Sequence, residues 1–337
     1  MRALEETRMP EALVPAAEPW TDEEVAAPRI AVLIPCYNEE VAIPRVVAAF
    51  RSALPEAIVY VYDNNSRDRT ADAARAAGAV LRSEHQQGKG HVVRRMLADV
   101  EADVYVLVDG DDTYEATDAP AMIRLLLEQR LDMVTGVRVT DAVAAYRPGH
   151  RFGNQALTGM VRLVFGDRIT DMLSGYRVFS RRFAKSFPAM ASGFETETEF
   201  TVHALELCMP VGELPTRYRE RPAGSESKLN TWRDGFRILY AISLLVRREK
   251  PLAFFSVLAG ALALLGVGLS IPVFETYLET GLVPRLPTAV LSTGLVLLSF
   301  LSLACGLILD TVTRGRLEAK RLAYLGIPAP DFRLPPR

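Results

Sequence analysis

Asp109, Asp111 and Asp112 crowd into four residues around Gly110, directly after the apolar run Val104-Tyr105-Val106-Leu107-Val108. That run is β-branched or aromatic at most positions and reads as a buried strand. Three carboxylates at its C-terminal end repel one another and raise one another's pKa unless a cation neutralises them. Oxygen-only ligands suit a hard divalent ion, Mg²⁺ or Mn²⁺, which completes its shell with phosphate oxygens and water. Asp109 and Asp111 are the metal-ligand candidates, and Asp112 is a candidate for holding a metal-bound water or a sugar. The competing reading of the same residues is a solvated acidic turn with helix-capping aspartates.

The elements that must position this cluster alternate along the chain. Ile30-Ala31-Val32-Leu33-Ile34 is a strand ended by Pro35, and Glu39 to Ala53 has helical periodicity. Ala57 to Tyr62 is a second strand, Thr70 to Ala77 a short helix, and Ala79 to Arg82 a short strand. Gly88-Lys89-Gly90 opens a helix that runs to Val100, and the carboxylate strand follows. This alternation predicts an α/β fold with a mostly parallel, Rossmann-like sheet. Ligands of such sheets sit beyond the carboxyl ends of the strands. Pro35 to Glu39, Asp63 to Asp68 and Asp109 to Asp112 all fall at that edge.

A net charge of -2 over 337 residues argues against nucleic acid as a partner. Cys36, Cys208 and Cys305 are scattered, with no metal-ligand spacing and no disulfide framework. His85, His91, His150 and His203 form no metal spacing either. Residues 1–29 lack an apolar core of the signal-peptide type and read as a flexible lead-in.

The C-terminal third has a different character. Neither 251–274 nor 286–309 contains a charged side chain. As a helix each spans about 36 Å, enough to cross a hydrocarbon core of about 30 Å. Two such runs joined by a short loop predict a transmembrane hairpin; the alternative is a pair of buried core helices. Arg247, Arg248 and Lys250 precede the first run, and Arg314, Arg316, Lys320 and Arg321 follow the second. That asymmetry places both chain ends and the globular α/β domain on the cytoplasmic face of the inner membrane, with 310–337 a cytoplasmic tail. Ser256 with Gly260, and Ser302 with Gly306, are small-residue pairs that would let the helices pack closely or let the chain form a homo-oligomer. Between domain and membrane, 231–250 reads as an amphipathic juxtamembrane helix with Trp232, Phe236, Leu239 and Tyr240 on one face. It lies either on the inner leaflet or against the globular domain.

Four motifs in order now carry a resemblance: Val32-Leu33-Ile34-Pro35-Cys36-Tyr37-Asn38-Glu39, Asp63-Asn64-Asn65-Ser66-Arg67-Asp68-Arg69-Thr70, Gly88-Lys89-Gly90, and the carboxylate strand end. The chain resembles glycosyltransferase family 2, of the inverting GT-A fold, over about Ile30 to Val312. Met172 to Phe179, Gly193-Phe194-Glu195 and Gly224-Ser225-Glu226-Ser227-Lys228 resemble the branch that includes dolichol-phosphate mannose synthase and bacterial undecaprenyl-phosphate glucosyl transferases. The resemblance implies a GT-A domain over 30–230. It implies a UDP- or GDP-sugar donor and a polyprenyl phosphate acceptor. Pro35, Tyr37, Glu39, Asp63 and Gly110 would line the donor pocket. Many relatives carry two aspartates where this chain has Asp63-Asn64.

On the residues alone, Lys89 at a helix start suits a diphosphate, or is an exposed lysine. Tyr37 is a pocket wall or a packing residue, and Glu39 a pocket residue or a first-turn helix acid. A lipid phosphate is already anionic at neutral pH and needs cations rather than a strong base. Arg138, Arg151, Arg177 and Lys228 are the acceptor-phosphate candidates, each with the alternative of an ordinary surface charge. Glu195 and Glu199, four apart, share a helix face and would position acceptor or sugar, or form a solvated acidic face.

Three activities fit these features: transfer of a single sugar to a polyprenyl phosphate, processive synthesis of a glycan, and non-catalytic nucleotide-sugar binding at a membrane. Two spans are too few for an export pore, and the intact carboxylate cluster argues for catalysis. The membrane topology has its own test, on a background lacking the native cysteines. A cysteine at Thr280 is expected to react in intact cells with an impermeant thiol reagent, while one at Ser225 stays protected until the cells are opened. The reverse pattern would overturn the orientation.

Overall fold

The computed structural model describes residues 27–139, 170–193, 195–219, 247 and 250–328. Its strands are β1 (Ile30–Cys36), β2 (Ile58–Asp63), β3 (Val80–Ser83), β4 (Val104–Leu107), β5 (Met133–Val139), β6 (Arg177–Ser180) and β7 (Val211–Arg217). They form one sheet in the order β3-β2-β1-β4-β6-β5-β7. All neighbours are parallel except β6, which runs against both β4 and β5. The mostly parallel α/β sheet expected from the alternation is therefore present.

The helices are α1 (Ile43–Ala53), α2 (Thr70–Ala76), α3 (Lys89–Asp99), α4 (Ala119–Glu128), α5 (Arg181–Ser186) and α6 (Thr196–Glu206). Each long one buries a stripe at helical spacing: Ile43, Val46, Val47 and Phe50 in α1, and Val92, Val93, Met96 and Leu97 in α3. The period of two along β1 then splits the core. Ala31 and Leu33 face one side with α3, α5 and α6, while Val32 and Ile34 face the other with α1 and α4. Helix α1 starts four residues later than the periodicity predicts, because Pro44 lacks an amide hydrogen and belongs in a first turn. Glu39 thus precedes the helix. Its carbonyl accepts the Ala42 and Ile43 amides at 3.1 and 2.9 Å, and the reading as a first-turn acid falls away.

Two long helices close the chain, α7 (Pro251–Thr280) and α8 (Leu286–Leu325). Only 11% and 6% of their most apolar stretches are buried, so they are not core helices of a soluble domain. Their inner seam holds the backbones close. Ser299 Oγ donates to the Ala259 carbonyl at 2.8 Å, and a Cβ at Gly306 would come within 2.9 Å of Phe255 Cβ. Gly260, one of the small residues expected at this contact, opens onto empty space instead.

Both helices outrun their uncharged stretches. Helix α7 stops at Gly281, left-handed at φ 69°, the conformation of a glycine cap. Helix α8 continues past Leu309 to Leu325, so the tail expected from residue 310 begins as helix, braced by an Arg314–Asp310 pair at 2.9 Å. Apolar length marks where a bilayer ends, not where a helix does. The juxtamembrane segment 231–250 falls outside the described residues except for Arg247 and Lys250.

The seam gives a paired prediction. Gly306→Leu should drive α7 and α8 apart and destabilise the hairpin by about 1–3 kcal/mol, the usual range for overpacking. Gly260→Leu, facing open space, should not. Thermal unfolding in detergent micelles compares them, and equal effects would mean that the seam is drawn wrongly.

Candidate active site

Three strand ends meet at the carboxyl edge of β1, β2 and β4, and their loops are stitched together. The Asn64 amide hydrogen reaches the Cys36 carbonyl at 2.9 Å, Asn38 N–H donates to Ser66 Oγ at 2.9 Å, and Arg67 N–H to Asn38 Oδ1 at 2.8 Å. Glu39 N–H donates to Thr70 Oγ1 at 2.8 Å. Asn38, Asn65 and Asp112, one at each strand end, are left-handed at φ 56°, 61° and 59°. For residues other than glycine this is uncommon and strained, and such strain gathers at functional sites.

Asn64 explains why an amide stands where many relatives have a second carboxylate. It is buried, and its Nδ2 donates to the Glu84 and Gln86 carbonyls, each at 2.8 Å. Its Oδ1 accepts the Gly88 amide at 2.7 Å. One side chain therefore both donates and accepts to hold the loop that delivers Lys89, which a carboxylate cannot do.

Lys89 then reaches into the carboxylate cluster. Its Nζ lies 2.5 Å from Asp109 Oδ1 and also pairs with Glu197 from the first turn of α6. Burial works against the charge on Lys89, but Asp109 and Glu197 outweigh it and hold the pKa above its ordinary value. A Cβ at Gly175 would lie 2.2 Å from Asp109 Oδ2, so this residue must be glycine for Asp109 to sit where it does. Asp111 is buried and accepts the Thr113 hydroxyl at 2.6 Å, while Asp112 pairs with Arg45 at 3.2 Å. Beneath them lies Cys36. Burial first, then the fields of Glu39, Asp63, Asp109 and Asp111, push its thiol well up, which marks how closely these carboxylates gather. Asp63 uses one oxygen for the Ser66 amide at 3.3 Å, and its Oδ1 is buried without a hydrogen-bond partner.

Asp109 and Asp111 are hard oxygen donors suited to Mg²⁺ or Mn²⁺. Among the described residues no third His, Cys, Asp or Glu joins them to complete a protein-only metal site. Such a pair fits a cation whose shell is finished by substrate phosphates and water, the usual pattern for Mg²⁺.

The acceptor candidates fare differently. Arg177 is wholly buried, and the structure corrects its assignment to a lipid phosphate. Its guanidinium donates to the Met172 and Ser174 carbonyls at 2.7 and 3.1 Å and to Thr201 Oγ1 at 3.0 Å, and lies 5.8 Å from the Phe200 ring centroid. It supports from below the loop that presses Gly175 onto Asp109. Arg138 lies at the site edge of β5 and grips Asp171 with two bonds of 2.8 Å. Burial tends to raise the Asp171 carboxyl, but the Arg138 guanidinium outweighs it and holds it below its ordinary value. Arg151 and Lys228 lie outside the described residues. Glu199 accepts the Met190 and Ala191 amides, both at 2.9 Å, and so shapes a loop. The acid of that helix which enters the site is Glu197, the one between the two that helical spacing picks out. Three acids at alternate positions point around the helix, and only the fold decides which one turns inward.

Fold and site together define a glycosyltransferase of the GT-A type. The chain belongs to glycosyl transferase family 2, whose model matches residues 31–187. It is 34% identical to glycosyltransferase AglJ of Haloferax volcanii over 248 residues, 72% of this chain and 80% of that protein. It is 27% identical over 222 residues to an undecaprenyl-phosphate mannosyltransferase of Micrococcus luteus, covering 60% of this chain and 88% of that one. In fold it is similar to the crystal structure of glucosyl-3-phosphoglycerate synthase from Mycobacterium tuberculosis in complex with Mn²⁺, UDP-glucose and phosphoglyceric acid. That match has a TM-score of 0.51 at 23% identity and covers 65% of this chain and 79% of the other.

Two substitutions test this construction. Asn64→Asp turns two donated bonds into repulsion and should destabilise the domain by about 1–3 kcal/mol. Arg177→Met leaves the Met172 and Ser174 carbonyls without their buried donor, at about 1–3 kcal/mol each. Denaturant unfolding reads both. A normally stable Arg177→Met protein that has lost only acceptor affinity would return Arg177 to the binding site.

Proposed function

We propose that this protein transfers one sugar, with inversion, from a UDP- or GDP-sugar to the phosphate of a polyprenyl lipid at the cytoplasmic face of the membrane. The observation that carries the reading is the Asp109–Lys89–Glu197 cluster at the ligand-binding edge of a GT-A sheet whose chain continues into two long, exposed apolar helices. The likeness to a protein that takes undecaprenyl phosphate supports the acceptor class.

In this reading the donor lies across the three strand ends. Pro35, Tyr37, Glu39 and Asp63 line the nucleotide pocket, and the orphaned Asp63 Oδ1 receives a donor from the ligand, as buried polar atoms require. Asp109 and Asp111 would hold a divalent cation, and Gly110 between them must lack a side chain because a Cβ there would come within 2.5 Å of Cys36 Sγ. When bound, the cation neutralises charge that develops on the departing diphosphate. Lys89 opens α3 beside Asp109, and its ammonium, shared by Asp109 and Glu197, holds Asp109 in place at the edge where the diphosphate arrives.

An acceptor phosphate oxygen then attacks the anomeric carbon from the face opposite the leaving group. The bond from that carbon to the diphosphate oxygen breaks, and its electron pair leaves with the nucleoside diphosphate. The new bond joins the inverted anomeric carbon to the lipid phosphate. With a second phosphate pKa near ~6, the acceptor is largely ionised at neutral pH, so no side chain need remove a proton. Arg138, Arg151 and Lys228 are the cations assigned to the acceptor phosphate.

Incubation with a panel of nucleotide sugars and undecaprenyl phosphate, followed by mass analysis of the lipid, should yield a product one hexose heavier. A ladder of masses would instead mean processive synthesis. Asp111→Asn should abolish the product while leaving the far-ultraviolet circular dichroism unchanged. Full activity of that variant, or undiminished turnover in excess chelator, would remove the metal from the mechanism.

A further inference from the structure

Helix α8 carries an arrangement that sugar transfer by itself does not require. Rising about 1.5 Å per residue, Asp310–Leu325 extends it roughly 24 Å beyond its uncharged run. The last turns of that extension are seated on the catalytic domain. Leu317 and Tyr324 pack against the core cluster shared by α3, α5 and α6. Lys320 Nζ lies 2.6 Å from Glu206, both side chains largely buried. Tyr324 donates its hydroxyl to Asp132 Oδ2 at 2.8 Å, with the Arg182 guanidinium 5.0 Å from its ring centroid. Arg182 also donates to the Ile327 carbonyl at 3.1 Å.

These contacts leave little play. The second oxygen of Asp132 accepts Ser180 Oγ at 2.7 Å, and Ser180 Oγ in turn accepts the Phe183 amide that opens α5. Val104 pairs with Ser180 at the start of β4, whereas Leu107 pairs with Arg177 at the site end. The helix therefore grips the sheet at the edge opposite the catalytic cluster. Glu206 ends α6, the helix whose first turn supplies Glu197 to Lys89. Buried ion pairs add little net stability, and their best-attested use is to fix one arrangement against its alternatives.

We propose that Lys320 and Tyr324 are positioning residues for transfer at the bilayer, locking the extension of α8 to the catalytic domain so that the site keeps one height and tilt above the membrane. The proposal rests on the lipid-phosphate reading above, because a water-soluble acceptor would gain nothing from a fixed attitude. A domain tethered by chain alone would sample many orientations and meet a membrane-bound phosphate in few of them.

The test uses the full chain with the nucleotide sugar that gives the wild-type product. Two acceptors are compared: undecaprenyl phosphate in nanodiscs, and geranyl phosphate in detergent. Lys320→Glu, and separately Tyr324→Phe, should lower transfer in nanodiscs, the charge reversal on the order of ten- to a hundredfold. Transfer to geranyl phosphate and the donor KM should not change. Lys320→Glu combined with Glu206→Lys should restore the nanodisc rate. In a chain carrying Cys208→Ser and Cys305→Ser, spin labels at positions 75 and 280 should give a narrow distance distribution that broadens in Lys320→Glu and narrows again in the double variant. Equal losses with both acceptors, an unchanged nanodisc rate, or an unchanged distance distribution would overturn the proposal. If the wild-type chain transfers to no polyprenyl phosphate, the functional reading fails, and the distance distribution alone decides whether the lock exists.

Discussion

One ammonium group shared by two carboxylates is the constraint from which the rest of the catalytic domain follows. Asp109 comes from the end of β4 and Glu197 from the start of α6, and neither would tolerate the other at this depth without Lys89 between them. Lys89 in turn requires its loop to be fixed, which Asn64 does, and Asp109 requires space, which the absence of a side chain at Gly175 supplies. Arg177 holds up the Gly175 loop from inside the protein. Substituting any one of these groups would be felt at the others, since they share partners rather than merely a neighbourhood.

Much of this is legible in the amino-acid sequence. The apolar run before Asp109, the alternation of strand and helix, and the uncharged stretches at 251–274 and 286–309 each reflect a local period or a length, which a sequence displays directly. What stayed hidden depends on contacts distant along the chain. Arg177 belongs to a motif that invites a phosphate-binding role, yet β6 is central to the sheet and turns the side chain inward. Glu197 carries no periodic signal, because its inward face is set by Lys89, 108 residues away. Gly260 looks as suitable for helix packing as Gly306, and only the crossing of α7 and α8 separates them. The helical extension beyond Leu309 was likewise invisible to a reading based on hydropathy, because its turns are held by polar contacts with the catalytic domain.

The two halves of the molecule are built on opposite principles. The catalytic domain alternates its apolar residues by period so that each face of the sheet is buried. The hairpin is apolar nearly all round, and its apolar side chains point outward, Leu264 and Val257 among them. One helix, α8, obeys both rules in succession along a single rod.

The left-handed residues at the three strand ends carry a consequence for how this protein can change. Strained backbone of this kind costs of order 1–3 kcal/mol at each residue, and Asn38, Asn65 and Asp112 together draw on a margin that is only about 5–15 kcal/mol in an ordinary domain. Glycine at any of the three would relieve the strain and release the loop from its fixed shape. A lineage under pressure for heat tolerance therefore meets a trade at this rim, where thermal margin is gained only by loosening the loops at the three strand ends. Heat-adapted forms of this enzyme would have to find their added stability elsewhere, in the helical layers or the hairpin seam.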